Sequence, residues 1–313
     1  MEAKFPNKIS IGIFPTPIHK LENISRLLGT NVYIKRDDMS GLALGGNKLR
    51  KLEYLLADAK AKGAELVFTT GGAQSNHAML TAAACRKLGM ECILILKKRG
   101  VCEKVGNQLL NSLMDIDVRF MDTDSYDDIY AEMDRVGEAF GRPYYKIPCG
   151  GSNALGSLGY VDCVKEISRQ GMDFDHIICA EGSGGTMAGV ALGAMLYAPG
   201  AKVTGMMVDT DPFDEITPAL MKGAAEILGL DIEINDQNFA LRDMCGPGYA
   251  IPSEEGNAAV ALLAREEGLF LDPVYTGKAF AGLLAMAKEG AFKPTDNVLF
   301  IHTGGAGGLF ALG

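Results

Sequence analysis

The sequence predicts an α/β protein built on open parallel sheets, and three observations point there. Short β-branched or apolar runs alternate with segments of helical spacing almost from end to end. Glycine-rich turns recur where such runs meet the next helix, as at residues 71–76 and 182–186. The composition, 48% hydrophobic and 22% charged over 313 residues, supplies a sizeable core and excludes a disordered or fibrous chain. The length suits two domains or one large α/β domain.

Taken in order, residues 31–37 (NVYIKRD) read as the first strand. The turn GLALGG then runs into an amphipathic helix at 48–63, with Asn47 as its cap. Strand 65–70 (ELVFTT) leads through two glycines to helix 76–89. Strands 91–96, 117–122 and 144–148 alternate with helix 128–141 and precede helix 157–171. Strand 176–182 (HIICAEG) meets a glycine loop and helix 185–198, and strands 202–208 and 297–305 follow. Residues 209–256, with the stretches DTDPFDEITP and CGPGYAIPSEEG, interrupt the pattern. Residues 182–201 carry no charge over a length that would span a bilayer, but their apolar residues are mostly Ala and Gly, which suits a tightly packed buried helix.

The net charge of -9, the absence of Trp and the lack of a basic stripe argue against nucleic acid as a partner. The first residues lack a secretory pattern, so a cytoplasmic location is expected, with no membrane partner. Seven cysteines without a C-x-x-C pair, beside four histidines, give no zinc spacing and read as small core residues.

Lys48, Arg50 and Lys51 crowd the first turn of their helix, where the macrodipole repels cations by roughly 0.3–1 kcal/mol each. The stretch AEGSGGTMAG is a phosphate cradle in the making: glycines let backbone amides approach an anion, and Thr186 and the helix start add donors. Asp209 ends the next strand where a ribose-binding acid would sit, but position 187 is Met where the dinucleotide pattern needs a third glycine. A Walker GK[ST] is missing too. A cofactor with one phosphate that reacts with a lysine accounts for both the cradle and the cations, and pyridoxal phosphate is such a cofactor. Lys48 would meet its aldehyde, and Lys51, one turn on, its phosphate.

Five ordered motifs carry a resemblance: KRDDMSGLALGGNKLRKLEYL, QSNH, GGSNALGSLGYV, LDPVYTGKAFAGL and LFIHTGGAGGLFA. Over nearly the whole chain it resembles the D-cysteine desulfhydrase and 1-aminocyclopropane-1-carboxylate (ACC) deaminase family, pyridoxal-phosphate enzymes of the tryptophan-synthase-β fold type (fold type II). The resemblance implies two domains, a small one at residues 51–160 inserted into a large one made of residues 1–50 and 161–313, and a homodimer. It makes Lys48 the residue bonded to the cofactor and a catalytic group, with Ser75 and Tyr275. Lys51, Ser183, Gly184, Gly185 and Thr186 would hold the phosphate, and Asn76 the phenolic oxygen. Ser75, Asn76, His77 and Tyr275 would meet the substrate, and Thr276 or Thr303 the pyridine nitrogen. ACC deaminases carry Glu and Leu where this chain has Thr276 and Thr303, and the threonines match the desulfhydrase branch. A neutral hydroxyl does not keep the pyridine nitrogen protonated as a carboxylate does, which disfavours long-lived carbanions. The implied reaction is α,β-elimination of D-cysteine to pyruvate, sulfide and ammonia. D-serine, β-chloro-D-alanine, L-cysteate and ACC stand as alternative substrates of the lyase or deaminase. Two positions depart from the family: Met79 stands where desulfhydrases carry Arg, and Ala250 where they tend to carry Gly. A nicotinamide oxidoreductase and a silent pyridoxal-phosphate carrier are the rivals from other classes.

Overall fold

The computed structural model describes residues 3–312. The elements run β1 (Ile18–Lys20), α1 (Glu22–Leu28), β2 (Asn31–Arg36), α2 (Lys48–Ala61), β3 (Leu66–Thr69), α3 (Asn76–Leu88), β4 (Glu91–Lys97), α4 (Gly106–Leu113), β5 (Asp117–Met121), α5 (Tyr126–Phe140), β6 (Tyr144–Ile147) and α6 (Ala154–Arg169). They continue as β7 (His176–Glu181), α7 (Gly185–Tyr197), β8 (Lys202–Met207), α8 (Phe213–Ile227), β9 (Ala240–Asp243), α9 (Glu254–Glu267), α10 (Thr276–Lys288), β10 (Asn297–His302) and α11 (Ala306–Leu312).

The strands form two sheets. A six-stranded sheet has the order β1-β2-β10-β7-β8-β9, parallel except for β1, and a four-stranded parallel sheet has the order β5-β4-β3-β6. The predicted α/β class with open parallel sheets is thus observed. Each predicted strand and helix is present. The short β1 and β9 were not predicted: three or four residues carry too few alternations to be told from loop. Helix α8 also fills part of the interval read as irregular, because Pro212 and Pro218 read as breakers while the chain uses one as the cap and accommodates the other inside the helix.

Helices cover both faces of each sheet. On the large sheet one apolar cluster joins α6, α7 and α8 to β7, and another joins α1, α9 and α10 to β2, β8 and β10. On the small sheet α2 and α3 cover one face and α5 the other. The uncharged stretch becomes α7, whose residues 185–194 are all buried, as predicted. Among the described residues no helix is long and apolar enough to cross a membrane. Helix α6 lies at the centre, against both α2 and α7, and glycines permit the approach. A Cβ on Gly189 would stand 2.2 Å from the Ser157 carbonyl oxygen, and one on Gly159 would stand 2.4 Å from the Arg50 carbonyl.

Candidate active site

The carboxyl ends of β3, β6, β7 and β10 converge on one cavity, where ligands collect in this architecture. Asn47 and Lys48 enter from the start of α2, Ser75, Asn76 and His77 from the start of α3, and Cys149 and Gly150 from the turn after β6. Glu181, Gly182, Ser183, Gly184 and Thr186 come from the β7–α7 turn, and Tyr249, Tyr275 and Thr303 close the far side. Outside lies a vestibule of about 770 Å³ that shares Ser75, Cys149 and the two tyrosines and adds Lys97, Arg99, Asp209 and Asp211.

The crowded cations of α2 have three different fates. Arg50 is buried and forked onto Asp37, with Nε and Nη2 each 2.8 Å from a carboxylate oxygen, and it also reaches Glu166 at 2.9 Å. Asp37 further accepts from Thr16 at 2.8 Å and from the Tyr160 hydroxyl, and Lys35 joins Glu166. This buried network of β2, α2 and α6 fixes the helix that carries Lys48. Burial pushes the Lys48 ammonium down to about 8, partly opposed by Cys149 and Glu181. Lys51, fully buried, is pushed well below its ordinary value by burial and then by the Lys48 charge. Lys51 is therefore a poor cation and Lys48 gives up its proton at about pH 8, which eases the conflict with the helix dipole.

The cradle is built from the same neighbourhood. Lys51 Nζ donates to the Gly150 carbonyl at 3.1 Å and to Ser152 Oγ at 3.2 Å. Ser152 also pairs with Ser183 Oγ at 2.9 Å and accepts from the Gly185 amide. Gly184 holds φ at 86°, in the left-handed region that favours glycine. A Cβ on Gly185 would stand 2.9 Å from Lys51 Nζ. Asn47 does cap α2 by position, but its side chain donates to Thr186 Oγ1 at 2.9 Å instead of capping the helix.

Across the cavity Ser75 is the true N-cap of α3. Its oxygen accepts from the Ala78 amide at 3.2 Å, which leaves the hydroxyl hydrogen for the cavity. Asn107 donates to Asn76 Oδ1 at 2.7 Å, so Asn76 presents its NH₂ group. His77 is buried, its Nε2 is 2.8 Å from Thr69 Oγ1 and its Nδ1 has no hydrogen-bond partner among the described residues; burial and the two lysines hold it neutral. Tyr275 meets Tyr249 hydroxyl to hydroxyl, and burial first, then this contact, holds the Tyr275 proton on. Thr303 lines the cavity, whereas Thr276 is turned onto Asp272, donating to Oδ1 at 2.6 Å, and is absent from the cavity wall. Asp272 also accepts the amides of Val274, Tyr275 and Thr276, which fixes the turn bearing Tyr275.

The structure thus gathers Lys48, Ser75, Asn76, His77, Ser183, Gly184, Thr186, Tyr275 and Thr303 around one space, with Gly185 in the same loop but off the cavity wall and Lys51 against it. Sequence reasoning missed Tyr249, Ser152, Cys149 and Glu181. Glu181 had a signal, a lone charge at the end of an apolar strand, and Tyr249 stands beside the noted Ala250. Met79, 1% exposed, lies in the core under the small sheet and not on the cavity wall. Ala250 lines the vestibule at φ 60°, a conformation in which glycine is at ease and alanine is not. An amine that holds its proton only to about pH 8, a glycine loop at a helix start and an oriented amide together fit an aldehyde-bearing phosphate.

Comparison with known proteins agrees with that fit. The model of the family described as "Pyridoxal-phosphate dependent enzyme" matches residues 9–304. A protein of Pyrococcus horikoshii named "Putative 1-aminocyclopropane-1-carboxylate deaminase" is 43% identical, covering 99% of this chain and 95% of its own. Proteins named D-cysteine desulfhydrase from Klebsiella pneumoniae and Yersinia pestis are 42% and 44% identical, covering 99% of this chain and 97% and 96% of theirs. The crystal structure of an ACC deaminase homologue superposes with a TM-score of 0.91 at 42% identity, over 98% of this chain and 94% of that one. A threonine deaminase from Solanum lycopersicum, at 20% identity and a TM-score of 0.67, shares the fold over 97% of this chain and 87% of its own.

Proposed function

Because the chain belongs to the pyridoxal-phosphate-dependent enzymes, in the group of D-cysteine desulfhydrases and ACC deaminases, we propose that it cleaves D-cysteine with water to pyruvate, sulfide and ammonia. The observation that carries this reading is the Lys48 amine, on the cavity wall with its proton held only to about pH 8, among residues that match the desulfhydrase pattern at Thr276 and Thr303.

When bound, pyridoxal phosphate supplies an aldehyde that bonds amines and a ring that draws electrons from the substrate's α-carbon. The chain's own residues do the rest. Lys48 anchors the cofactor and, once freed, takes the α-proton on Nζ; a buried amine of lowered pKa is a competent base near neutral pH. Ser75 and His77 receive the substrate carboxylate, with the Ser75 hydrogen as donor. Asn76, its oxygen already taken by Asn107, would donate its NH₂ to the phenolic oxygen. Ser183, Gly184, Gly185 and Thr186 hold the phosphate, with Lys51 behind them. Tyr275, tied to Tyr249, keeps a protonated hydroxyl beside the substrate. Thr303, on the cavity wall, would meet the pyridine nitrogen, and Thr276 supports the turn that carries Tyr275.

The reading extends to the architecture around the site. A small domain at 51–160 and a large one from 1–50 and 161–313 enclose the cavity, and the separate four- and six-stranded sheets support that division. The enzyme works as a homodimer in the cytoplasm, and its seven unpaired thiols suit a reducing compartment. Light scattering of the purified protein reads the dimer directly.

The deciding assay measures sulfide and pyruvate from D-cysteine and from L-cysteine in parallel, with ACC as a third substrate and Lys48→Ala as control. Release from the D isomer alone supports the proposal. Ammonia from ACC without sulfide from cysteine transfers the chain to the deaminase activity, and silence on all three overturns the substrate assignment.

A further inference from the structure

One charged side chain at the site has no task in the reading above. Glu181 ends β7 immediately before the glycine loop and is 1% exposed. Its Oε1 accepts a long 3.4 Å hydrogen bond from Thr217 of α8, and its Oε2 is buried without a hydrogen-bond partner among the described residues. Among the described residues it forms no ion pair within 4.0 Å. The groups facing it are the Gly184 amide from the loop, the Thr217 hydroxyl from α8, Lys51 and Lys48 from α2, and the Cys179 thiol two residues down its own strand. Gly184 belongs to the cradle assigned to the cofactor's phosphate.

A buried acid beneath an anion site has two states with opposite effects. As a neutral carboxylic acid it leaves the Gly184 N–H to the phosphate. As a carboxylate it competes for that N–H and sets a like charge under a dianion. We propose that Glu181 makes the grip on the cofactor's phosphate proton-dependent: the loop Ser183–Thr186 holds the phosphate tightly while Glu181 is protonated and loosens when it ionises. This rests on the assignment of that loop to pyridoxal phosphate.

Burial raises the Glu181 carboxyl to about 8, against the opposing pull of Lys51, Gly184, Thr217 and Lys48, so the change falls on the alkaline side of neutrality. A bound dianion raises it further. Binding above pH 8 therefore takes up a proton, and affinity falls as pH rises, by up to about tenfold per pH unit between the free and bound values.

The test is equilibrium dialysis of pyridoxal phosphate against the apoprotein at pH 7 and pH 9, for the wild type, Glu181→Gln and Glu181→Ser. Inorganic phosphate serves as a competitor that reads the cradle without the Lys48 amine. Lys48 and Lys51 titrate in all three proteins; an ionised Glu181, present only in the wild type, helps hold their protons on, so their loss at pH 9 is greater in the variants and works against the expected difference. Either variant suffices if the other does not fold. The expected result is a wild-type phosphate affinity that drops about tenfold more than the variant's between the two pH values. Parallel pH dependence with cofactor binding intact overturns the inference and leaves the cofactor assignment standing. Absence of cofactor binding in every protein at both pH values overturns the two together.

Discussion

Gly159→Ala adds one methyl group where α6 crosses α2, and the structure allows its effect to be worked out. The new Cβ would lie 2.4 Å from the carbonyl carbon and oxygen of Arg50 and 2.8 Å from the Lys51 nitrogen, whereas ordinary contact begins at 3.4 Å. The opposing atoms are helix backbone and cannot rotate away, so the helices must part by about the 1.0 Å shortfall. Overpacking of this kind costs about 1–3 kcal/mol, and a backbone clash belongs at the upper end. Alanine's better helix propensity returns about 1 kcal/mol, leaving a net loss of about 2 kcal/mol. The displaced turn is the one between Lys48 and Lys51, and a 1 Å misplacement of a reacting group costs on the order of 100-fold in rate. Urea denaturation and kcat/KM for D-cysteine measure the two effects. Gly200→Ala, at a glycine whose added Cβ meets nothing within 4 Å, is the control and should stay within about 0.5 kcal/mol of wild type. A Gly159→Ala protein as stable and as active as that control would refute the claim that this helix contact sets the position of Lys48.

Further outcomes can be checked alongside. Lys48→Ala should abolish both turnover and the long-wavelength absorbance of bound cofactor, and retention of either removes the lysine from its assigned place. In the apoprotein at saturating cofactor, the rate of attachment should rise with pH toward about 8 and level off above it, since only the unprotonated Lys48 amine attacks; mixing experiments followed by absorbance read the curve. Asp37→Asn should lose about 3 kcal/mol by leaving the buried Arg50 fork short of its main anion, measured by denaturant midpoint. Asp37 is held below the ordinary 3.8 chiefly by Arg50 against its own burial, so its stabilisation is present above that pH and lost as pH falls through the lower folded value. The variant should flatten that acid limb. Met79→Arg should destabilise by at least about 3 kcal/mol without adding a charge to the cavity, because position 79 faces the core.

The sequence carried the fold class because β and α periodicities alternate regularly wherever strands are buried on both faces. HIICAE and NVLFIH, almost wholly buried, are continuous apolar runs of the kind parallel strands require. It carried the glycine loop and the first-turn lysines because each breaks a local rule, and such breaks gather at functional sites. The role of Arg50 was not legible, since its partners Asp37 and Glu166 stand 13 and 116 residues away and no periodicity links them. Tyr249 and Ser152 were hidden for the same reason: a hydroxyl in a loop has no signature until tertiary structure sets it against Tyr275 or Lys51. For Met79, sequence comparison marked a departure but gave no direction, and only the packing shows that the side chain points into the core.

The order of strands in the large sheet bears on how the protein is made. The four-stranded sheet is complete within residues 66–147, so a ribosome that has released that stretch has released every hydrogen-bonding partner it needs. The six-stranded sheet is different. Its middle position belongs to β10, paired with β2 at Val298 to Val32 and with β7 at Val298 to His176. Until residues 297–302 emerge, β2 and β7 both present an unpaired edge, and β2 waits through the synthesis of some 260 residues at about 5–20 residues per second. A ribosome stalled before β10 therefore leaves two adhesive edges and an unfinished cavity wall.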